Sequence, residues 1–291
     1  MPVRRPDRAG LVLLLGVGLA LSGRADGQQA PRFESFDSDD VRLQYVVLGS
    51  GPAVVLVHGF AISAGMNWLA PGIADTLAKR FTVIVPDLRG HGASDKPHDP
   101  AAYGATFVDD LVRLLDHLRI QRAHVVGYSM GAAITLKLLT SHPDRVISAV
   151  LGGGGWQPPD AAPPAFLPEW LQGLDRAATG EITVAEVIRR PEWPALTPGI
   201  VALLNQNDPR ALAAVLRGLA GLAVAEPALR ASAVPVLAVV GETDRDARAG
   251  VERLAGVMPT VEVSIVPGAD HVSAIGHPLL LQAIAQFLDS H

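Results

Sequence analysis

The sequence contains no cysteine, and this absence removes several kinds of structure at once. Disulfide bonds and cysteine-ligated metal sites cannot form, and no amino-terminal cysteine is present to carry a lipid. Stability must therefore come from a hydrophobic core, and a chain of 291 residues is long enough to bury one.

The sequence also lacks clusters of basic residues. It has 24 lysines and arginines against 29 aspartates and glutamates, for a formal net charge of −5. Binding to a nucleic acid depends on a positive field that neutralises the phosphate backbone. We therefore expect no nucleic acid as a partner.

A hydrophobic run long enough to span a membrane is lacking at the amino terminus. The apolar run Leu11–Leu21 has eleven residues, whereas a transmembrane helix needs about 20. Three arginines precede it, and the small residues Ala25 and Gly27 follow at a spacing typical of cleavage sites. We predict that residues 1–27 are a signal peptide, with export to the periplasm or the medium and no stable membrane insertion afterwards; the alternative is a membrane anchor.

What the sequence does contain is an alternation of short β-rich runs with longer amphipathic stretches. This alternation predicts an α/β fold, with a mostly parallel sheet and helices on both faces. The predicted strands are Val41–Leu48, Ala53–Val57, Phe81–Val85, Ala123–Val126, Ile147–Leu151, Pro235–Val240 and Val261–Val266. The predicted helices are Asn67–Lys79, Thr106–Leu118, Met130–Leu139 and Leu279–Leu288.

Residues 152–232 interrupt this alternation. The segment is rich in proline and has helical patches at Thr183–Ile188 and Ala211–Leu222, but it shows no strand pattern. We predict a helical lid insertion over the sheet edge, within a core domain made of residues 28–151 and 233–291; the alternative is a flexible linker. The segment carries four large aromatic residues that could line an apolar pocket or form the core of the lid, namely Trp156, Phe166, Trp170 and Trp193.

A serine between two glycines joins a predicted strand to a predicted helix. The pattern is Gly127-x-Ser129-x-Gly131, the nucleophile elbow. Glycines suit a sharp turn that projects the serine hydroxyl from the sheet, because side chains there would collide. The following helix directs its positive end at the serine. A glycine-rich turn without chemistry is the alternative, but the position between strand and helix favours the elbow.

The segment His58-Gly59-Phe60 follows another predicted strand. Such a loop can present the backbone N–H of Phe60 towards the serine. Together with the N–H of Met130, it would form an oxyanion hole with two donors. We expect His58 itself to be structural, with its ring bound to nearby backbone.

Taken with these segments, three further motifs make the chain resemble the α/β-hydrolase superfamily. They are Asp87–Ser94, Gly241-Glu242-Thr243-Asp244 and Gly268-Ala269-Asp270-His271. The resembling branch contains esterases, C–C bond hydrolases, cofactor-free perhydrolases, epoxide hydrolases and dehalogenases. The matches span nearly the whole mature chain in the family's order of serine, acid and histidine.

The resemblance implies a catalytic triad of Ser129, Asp244 and His271. Asp246 remains an alternative acid, because a shift of two residues in a loop is hard to exclude from sequence. The later histidines His277 and His291 suit the start of the last helix and the chain end. The resemblance also implies that Asp87, Arg89 and His91 brace a loop. Relatives often have glutamate at the position of Gly276, which puts one supporting contact in doubt.

The resemblance implies a serine hydrolase that needs no metal and no organic cofactor. Dehalogenases and epoxide hydrolases use aspartate as the nucleophile, so a serine argues against those reactions. We expect cleavage of a carboxylic ester or a related acyl bond (lactone or thioester) in a small, partly apolar molecule. The alternatives are C–C bond hydrolysis or perhydrolysis on the same fold, and a non-catalytic protein that binds a ligand in the same pocket.

Overall fold

Runs of aliphatic and β-branched residues form an eight-stranded sheet in the computed structural model, which describes residues 32–191 and 193–291. The predicted signal peptide lies outside these residues. The strands are Arg32–Ser38 (β1), Val41–Leu48 (β2), Ala53–Val57 (β3), Thr82–Pro86 (β4), Ala123–Tyr128 (β5), Val146–Gly152 (β6), Val236–Gly241 (β7) and Val261–Val266 (β8).

The strand order places β5 near the middle of the sheet. The order is β1-β2-β4-β3-β5-β6-β7-β8. The pairs β1–β2 and β2–β4 are antiparallel, and all other pairs are parallel. The chain passes from β3 outward to β4, and later from β5 outward to β6 in the opposite direction. A crevice therefore opens at the carboxyl ends of β3 and β5, where open α/β sheets bind their ligands.

Helices cover both faces of this sheet. They are Ile73–Leu77 (α1), Thr106–His117 (α2), Met130–Ser141 (α3), Leu167–Ala177 (α4), Val184–Ile188 (α5), Pro198–Leu204 (α6), Pro209–Gly218 (α7), Glu226–Ala231 (α8), Arg245–Val257 (α9) and Pro278–Ser290 (α10). The buried side chains of α2 and α3 share one hydrophobic cluster, and those of α1 and α10 share another. The predicted fold class, a mostly parallel sheet between two layers of helices, is confirmed.

Between β6 and β7, residues 153–235 form what we call the helical segment, which contains α4 to α8. Its apolar side chains build a cluster of their own around Leu174 and Leu212, and this cluster includes Ala61 from the loop after β3. The Asn207 side-chain amide donates to the Ala61 carbonyl at 2.9 Å. The helical segment therefore packs on the loop that follows β3.

Outside the helical segment, three of the described elements differ from the sequence predictions. The first strand, β1, is not predicted, because only Phe33 and Phe36 of its seven residues are apolar and it lies at the edge of the sheet. The predicted helix Asn67–Lys79 is broken: a π-helical turn covers Gly65–Leu69, and α1 begins only after Gly72, whose φ is +74°. Helix α9 is also unpredicted, although Asp244 caps it and its buried residues follow helical spacing. Among the described residues, no helix is long and apolar enough to cross a bilayer.

Candidate active site

Ser129 is the single residue between the end of β5 and the start of α3. Its φ of 56° and ψ of −115° are rare for a residue with a Cβ atom and cost about 1–3 kcal/mol. The neighbouring backbone holds this conformation. The Ser129 N–H donates to the Gly152 carbonyl at 2.8 Å, and the Ala132 N–H donates to the Ser129 carbonyl at 2.9 Å.

The glycines on either side of Ser129 are required by close backbone contacts. A Cβ atom on Gly127 would lie 2.1 Å from the carbonyl oxygen of Gly131, and one on Gly131 would lie 2.1 Å from that of Val57. Since both atoms belong to fixed backbone, no side chain could move to make room. The pattern Gly127-x-Ser129-x-Gly131 is therefore explained by the lack of space for side chains at this turn.

The two other predicted triad residues lie beside Ser129. The His271 Nε2 is 3.0 Å from the Ser129 Oγ, and the His271 Nδ1 is 2.7 Å from the Asp244 Oδ2. Asp244 follows β7 and His271 follows β8, so both come from loops at the carboxyl edge of the sheet. The structure therefore brings together three side chains that are far apart in sequence.

These distances select one tautomer of the His271 ring. A carboxylate can only accept a hydrogen bond, so the Nδ1–H donates to Asp244. The Nε2 then keeps its lone pair and accepts from the Ser129 hydroxyl. This is the arrangement in which an imidazole can take a proton from a serine.

Hydrogen bonds between loops fix the positions of Asp244 and His271. The backbone N–H and the side-chain hydroxyl of Thr243 donate to the Ala269 carbonyl at 2.9 Å and 3.0 Å. The Tyr128 hydroxyl donates to the His271 carbonyl at 2.8 Å. Burial raises the pKa of Tyr128 far above its ordinary value, so the phenol remains a neutral donor across the pH range in which the protein is handled.

Asp246, the alternative acid, points elsewhere. Its carboxylate lies 3.3 Å from the guanidinium of Arg190 in the helical segment, and its side chain is 67% exposed. The Asp244 side chain is only 7% exposed. Its Oδ1 accepts from the Ala247 N–H at 3.4 Å while its Oδ2 faces His271. Of the two candidates, only Asp244 reaches the histidine.

The two predicted oxyanion donors are backbone amides beside the serine. A Cβ atom on Gly59 would lie 3.3 Å from the Ser129 Cβ, so the loop that carries Phe60 runs next to Ser129. Met130 is the first residue of α3, and an amide in the first turn of a helix has no acceptor within that helix. Neither the Phe60 nor the Met130 amide donates to another described residue, which leaves both for a ligand.

His58 orients this loop and does not face the serine. Its Nε2 accepts from the Leu88 N–H at 3.0 Å, and its Nδ1–H donates to the Gly59 carbonyl at 2.7 Å. Both ring nitrogens are therefore bound to backbone. Burial lowers the pKa of His58, so the ring stays neutral and fixes the carbonyl of Gly59.

The Asp87–Ser94 loop is held by buried polar contacts, as its predicted bracing role requires. The Asp87 carboxylate accepts from the Ala64 and Ala93 amides at 2.8 Å and 2.9 Å. Arg89 forms two hydrogen bonds of 2.6 Å with the buried carboxylate of Asp110 on α2. Because Ala64 lies in the loop after β3, Asp87 also supports the position of the predicted oxyanion donor.

The buried His91 makes the stability of the protein depend on pH. Burial lowers the pKa of His91 to about 3, from an ordinary value of 6.5. Below about pH 6.5 the unfolded chain gains a proton at this residue that the folded protein does not bind. This contribution to stability is therefore complete above pH 6.5 and decreases as the pH falls towards 3.

We expect His91→Asn to reduce this pH dependence. The variant should lower the slope of unfolding free energy against pH by about 1.4 kcal/mol per pH unit between pH 6 and pH 4. Urea unfolding of both proteins at several pH values measures the slopes, and values at pH 8 provide the reference. Equal slopes in the two proteins would show that His91 is not held neutral.

A cavity of about 1250 Å³ opens over the three side chains. Its walls come from the loop after β3, the helical segment and one face of α9. Phe166, Trp170 and Trp193 line it, whereas Trp156 packs into the core and donates its Nε1–H to the Val224 carbonyl at 2.8 Å. Of the four aromatic residues that the sequence singles out, three therefore face the cavity.

Several residues of this cavity carry no signal that the sequence predictions used. Among them are Arg190, Arg245 and Arg253, which all line the cavity. The last two lie on α9, and the spacing of Ala247, Val251 and Leu254 is the signal that could have revealed this helix. For Arg190 no local signal exists, because its place depends on how the helical segment packs.

The two later histidines lie away from Ser129, at the start and at the end of α10. His277 caps α10 by accepting from the Leu279 N–H at 3.3 Å. His291, at the carboxyl terminus, packs on Phe287 with ring centroids 4.4 Å apart. Within residues 32–191 and 193–291, no group of three or more histidine, aspartate or glutamate side chains is placed to hold a metal ion.

Comparison with known proteins gives a family match and several relatives. A family model described as alpha/beta hydrolase fold matches residues 52–190. An uncharacterized protein of Mycobacterium tuberculosis is 41% identical over 118 residues, which are 38% of this chain and 33% of that protein. The chain thus matches about a third of the length of these first relatives.

Two further proteins are similar over most of the chain. The 2-(acetamidomethylene)succinate hydrolase of Mesorhizobium japonicum is 29% identical over 262 residues, which are 83% of this chain and 90% of that enzyme. A thermophilic esterase from Thermogutta terrifontis has a TM-score of 0.73 at 24% identity, covering 90% of this chain and 99% of the esterase. The strand order, the serine turn and these matches agree: the chain has the α/β-hydrolase fold.

Proposed function

We propose that the protein is a serine hydrolase that cleaves a carboxylic ester, or a related lactone or thioester, through an acyl-enzyme intermediate. One observation carries the proposal: the Ser129 Oγ lies 3.0 Å from the Nε2 of a histidine whose Nδ1 lies 2.7 Å from Asp244. A neutral imidazole between a hydroxyl and a carboxylate is the arrangement that activates a serine.

In the first half of the reaction, Ser129 attacks the carbonyl carbon of the substrate. His271 takes the hydroxyl proton on Nε2, and Asp244 stabilises the resulting imidazolium through Nδ1–H. The carbonyl oxygen gains negative charge and accepts hydrogen bonds from the amides of Phe60 and Met130. His271 then gives its proton to the leaving alcohol or thiol, and the acyl group remains on Ser129.

In the second half, water replaces the alcohol. His271 takes a proton from the water as its oxygen attacks the acyl carbon, and the same two amides stabilise the second oxyanion. The bond between Ser129 and the acyl group breaks, and the serine recovers its proton from the histidine. The products are a carboxylic acid and the free enzyme, and the cycle consumes one water molecule.

The helical segment would act as a lid that binds the apolar part of the substrate. Phe166, Trp170 and Trp193 supply aromatic surface to the cavity. Trp170 also stacks on the Phe60 ring, with centroids 5.8 Å apart. This contact joins the lid to the loop that carries a proposed oxyanion donor. A small, partly apolar molecule suits such a cavity.

Labelling with a fluorophosphonate probe tests the proposal. The activated serine attacks phosphorus and displaces fluoride, so we expect one label per chain, located at Ser129 by peptide mass spectrometry. Ser129→Ala should take up no label, and heat-unfolded protein provides the matched control for nonspecific reaction. A folded protein that does not react would support the ligand-binding alternative instead.

Turnover then defines the type of bond that is cleaved. We expect hydrolysis of short- or long-chain esters, lactones or thioesters to exceed that of vinylogous diketones, the substrates of C–C bond hydrolases. A labelled protein that cleaves only the diketones would retain the serine mechanism but overturn the proposed bond type.

A further inference from the structure

Trp193, in the connection between α5 and α6, forms an offset stack with the ring of His271. The two ring centroids are 5.6 Å apart and the ring planes differ by 10°. The indole therefore presents its π face to the imidazole. Trp193 is half-buried and is contributed by the helical segment, whereas His271 belongs to the loop after β8.

Neighbouring side chains hold the indole in this place. The Arg190 guanidinium lies 5.4 Å from the Trp193 ring centroid and 5.3 Å from that of Phe166. Its ion pair with Asp246, at 3.3 Å, connects this group to α9. Trp170 meets Trp193 edge-on, with centroids 6.3 Å apart. The stack on His271 is thus part of a packed cluster.

The charges around His271 change during the proposed reaction. The neutral ring becomes an imidazolium when it takes the proton of Ser129 or of water. An aromatic π face carries negative quadrupolar charge and attracts a cation within about 6 Å of its centroid. The indole therefore interacts more strongly with the protonated ring of the transition state than with the neutral ring of the resting enzyme, which is the requirement for lowering a barrier.

We propose that Trp193 is a positioning residue of the hydrolase, whose π face stabilises the imidazolium form of His271. The proposal rests on the proposed function of Ser129 and His271. It gives the helical segment a direct part in the chemistry, because the residue that supports the base belongs to the element that covers the cavity.

Other charged and titratable groups also face the His271 ring or its loop. Asp244 accepts from Nδ1, and Asp270 precedes the histidine with its carboxylate bound to the Val272 and Ser273 amides. The Tyr128 ring lies 5.6 Å away and its hydroxyl binds the His271 carbonyl. A substitution of Trp193 changes none of these side chains, but the Arg190 guanidinium, 5.4 Å from the Trp193 ring centroid, loses its contact with the indole. A variant that keeps an aromatic ring at this position is therefore needed for comparison.

Two variants distinguish the effect of the π face on His271 from the effect of shielding the imidazole with an apolar side chain. Trp193→Leu keeps an apolar side chain that can shield the imidazole but removes the π face, and Trp193→Phe keeps a smaller π face. The pH profile of kcat/KM for an activated ester is measured for all three proteins. Its acidic limb reports protonation of the base in the free enzyme.

For Trp193→Leu we expect the midpoint of the acidic limb to fall by about half a pH unit to one unit, with a plateau about 3- to 10-fold lower. Trp193→Phe should lie nearer the parent protein in both quantities. A lower plateau with an unmoved midpoint would show that Trp193 only packs the lid, and it would overturn the proposal.

A measurement without turnover keeps this test independent of the proposed reaction. The ring protons of His271 are titrated by NMR in the Ser129→Ala background, with Trp193 and with Trp193→Leu. We expect the titration midpoint to fall in the second protein by the same half to one unit. Equal midpoints would overturn the role of Trp193, whereas failure of the proposed function would appear separately as an unlabelled Ser129.

Discussion

Replacing Ser129 with alanine should lower kcat for ester hydrolysis by about 10⁴- to 10⁶-fold. The variant would lack the oxygen on which the proposed acyl-enzyme forms, so only the pocket and the two free amides could still assist the attack of water. KM should change little, because the side chain contributes little to binding of the ground state. Steady-state hydrolysis of an activated ester, with long incubations for the variant, measures the loss.

Folding provides the control for this result. Alanine retains the Cβ atom, so the strained φ of 56° at this position and the contacts of the turn are preserved. Circular dichroism and the thermal unfolding midpoint should therefore match those of the parent protein. A well-folded alanine variant that kept full turnover would refute the assignment of the nucleophile.

The sequence predicts the centre of this site well because each part of it has a local cause. Gly127 and Gly131 are required by backbone contacts within the turn itself, and a strand-to-helix junction is visible in the hydrophobic pattern. The parallel arrangement of strands then implies that loops after β3, β5, β7 and β8 meet at one edge. Local signals and one topological rule thus suffice to bring Ser129 and His271 together.

The surroundings of the site could not be predicted in the same way. Trp193 is noticed from sequence only as a large aromatic residue, and its stack on His271 depends on the packing of distant elements. The edge strand β1 lacks a continuous apolar run, since one of its faces meets solvent. The break before α1 depends on the left-handed conformation of Gly72, which a spacing of apolar residues does not reveal.

The sequence also does not distinguish Asp244 from Asp246, because the two residues lie two positions apart. Both belong to one acidic, loop-like stretch of sequence. In the structure, Asp244 is the capping residue of α9 and Asp246 lies in its first turn. Successive positions at the start of a helix point in different directions around its axis. The capping position faces the histidine, while the other meets Arg190.

This difference predicts opposite results for two matched substitutions. Asp244→Asn should lower kcat by about 10⁴-fold, because an amide that donates to Nδ1 forces the proton onto Nε2 and cannot stabilise the imidazolium. Asp246→Asn should leave kcat within about threefold, since it removes one arm of an exposed ion pair, and such pairs contribute at most about 1 kcal/mol. Initial rates on the same ester compare the two.

The unfolding stability of these two variants shows whether a loss of activity comes from the chemistry or from a loss of folded structure. Asparagine is as good a helix cap as aspartate, so Asp244→Asn should keep the hydrogen bond to the Ala247 amide that aspartate makes at 3.4 Å. Both variants should therefore unfold near the parent midpoint in urea, and only one should lose turnover. If Asp246→Asn lost activity and Asp244→Asn kept it, the acid would have to be reassigned, and the geometry at His271 would describe a state other than the reactive one.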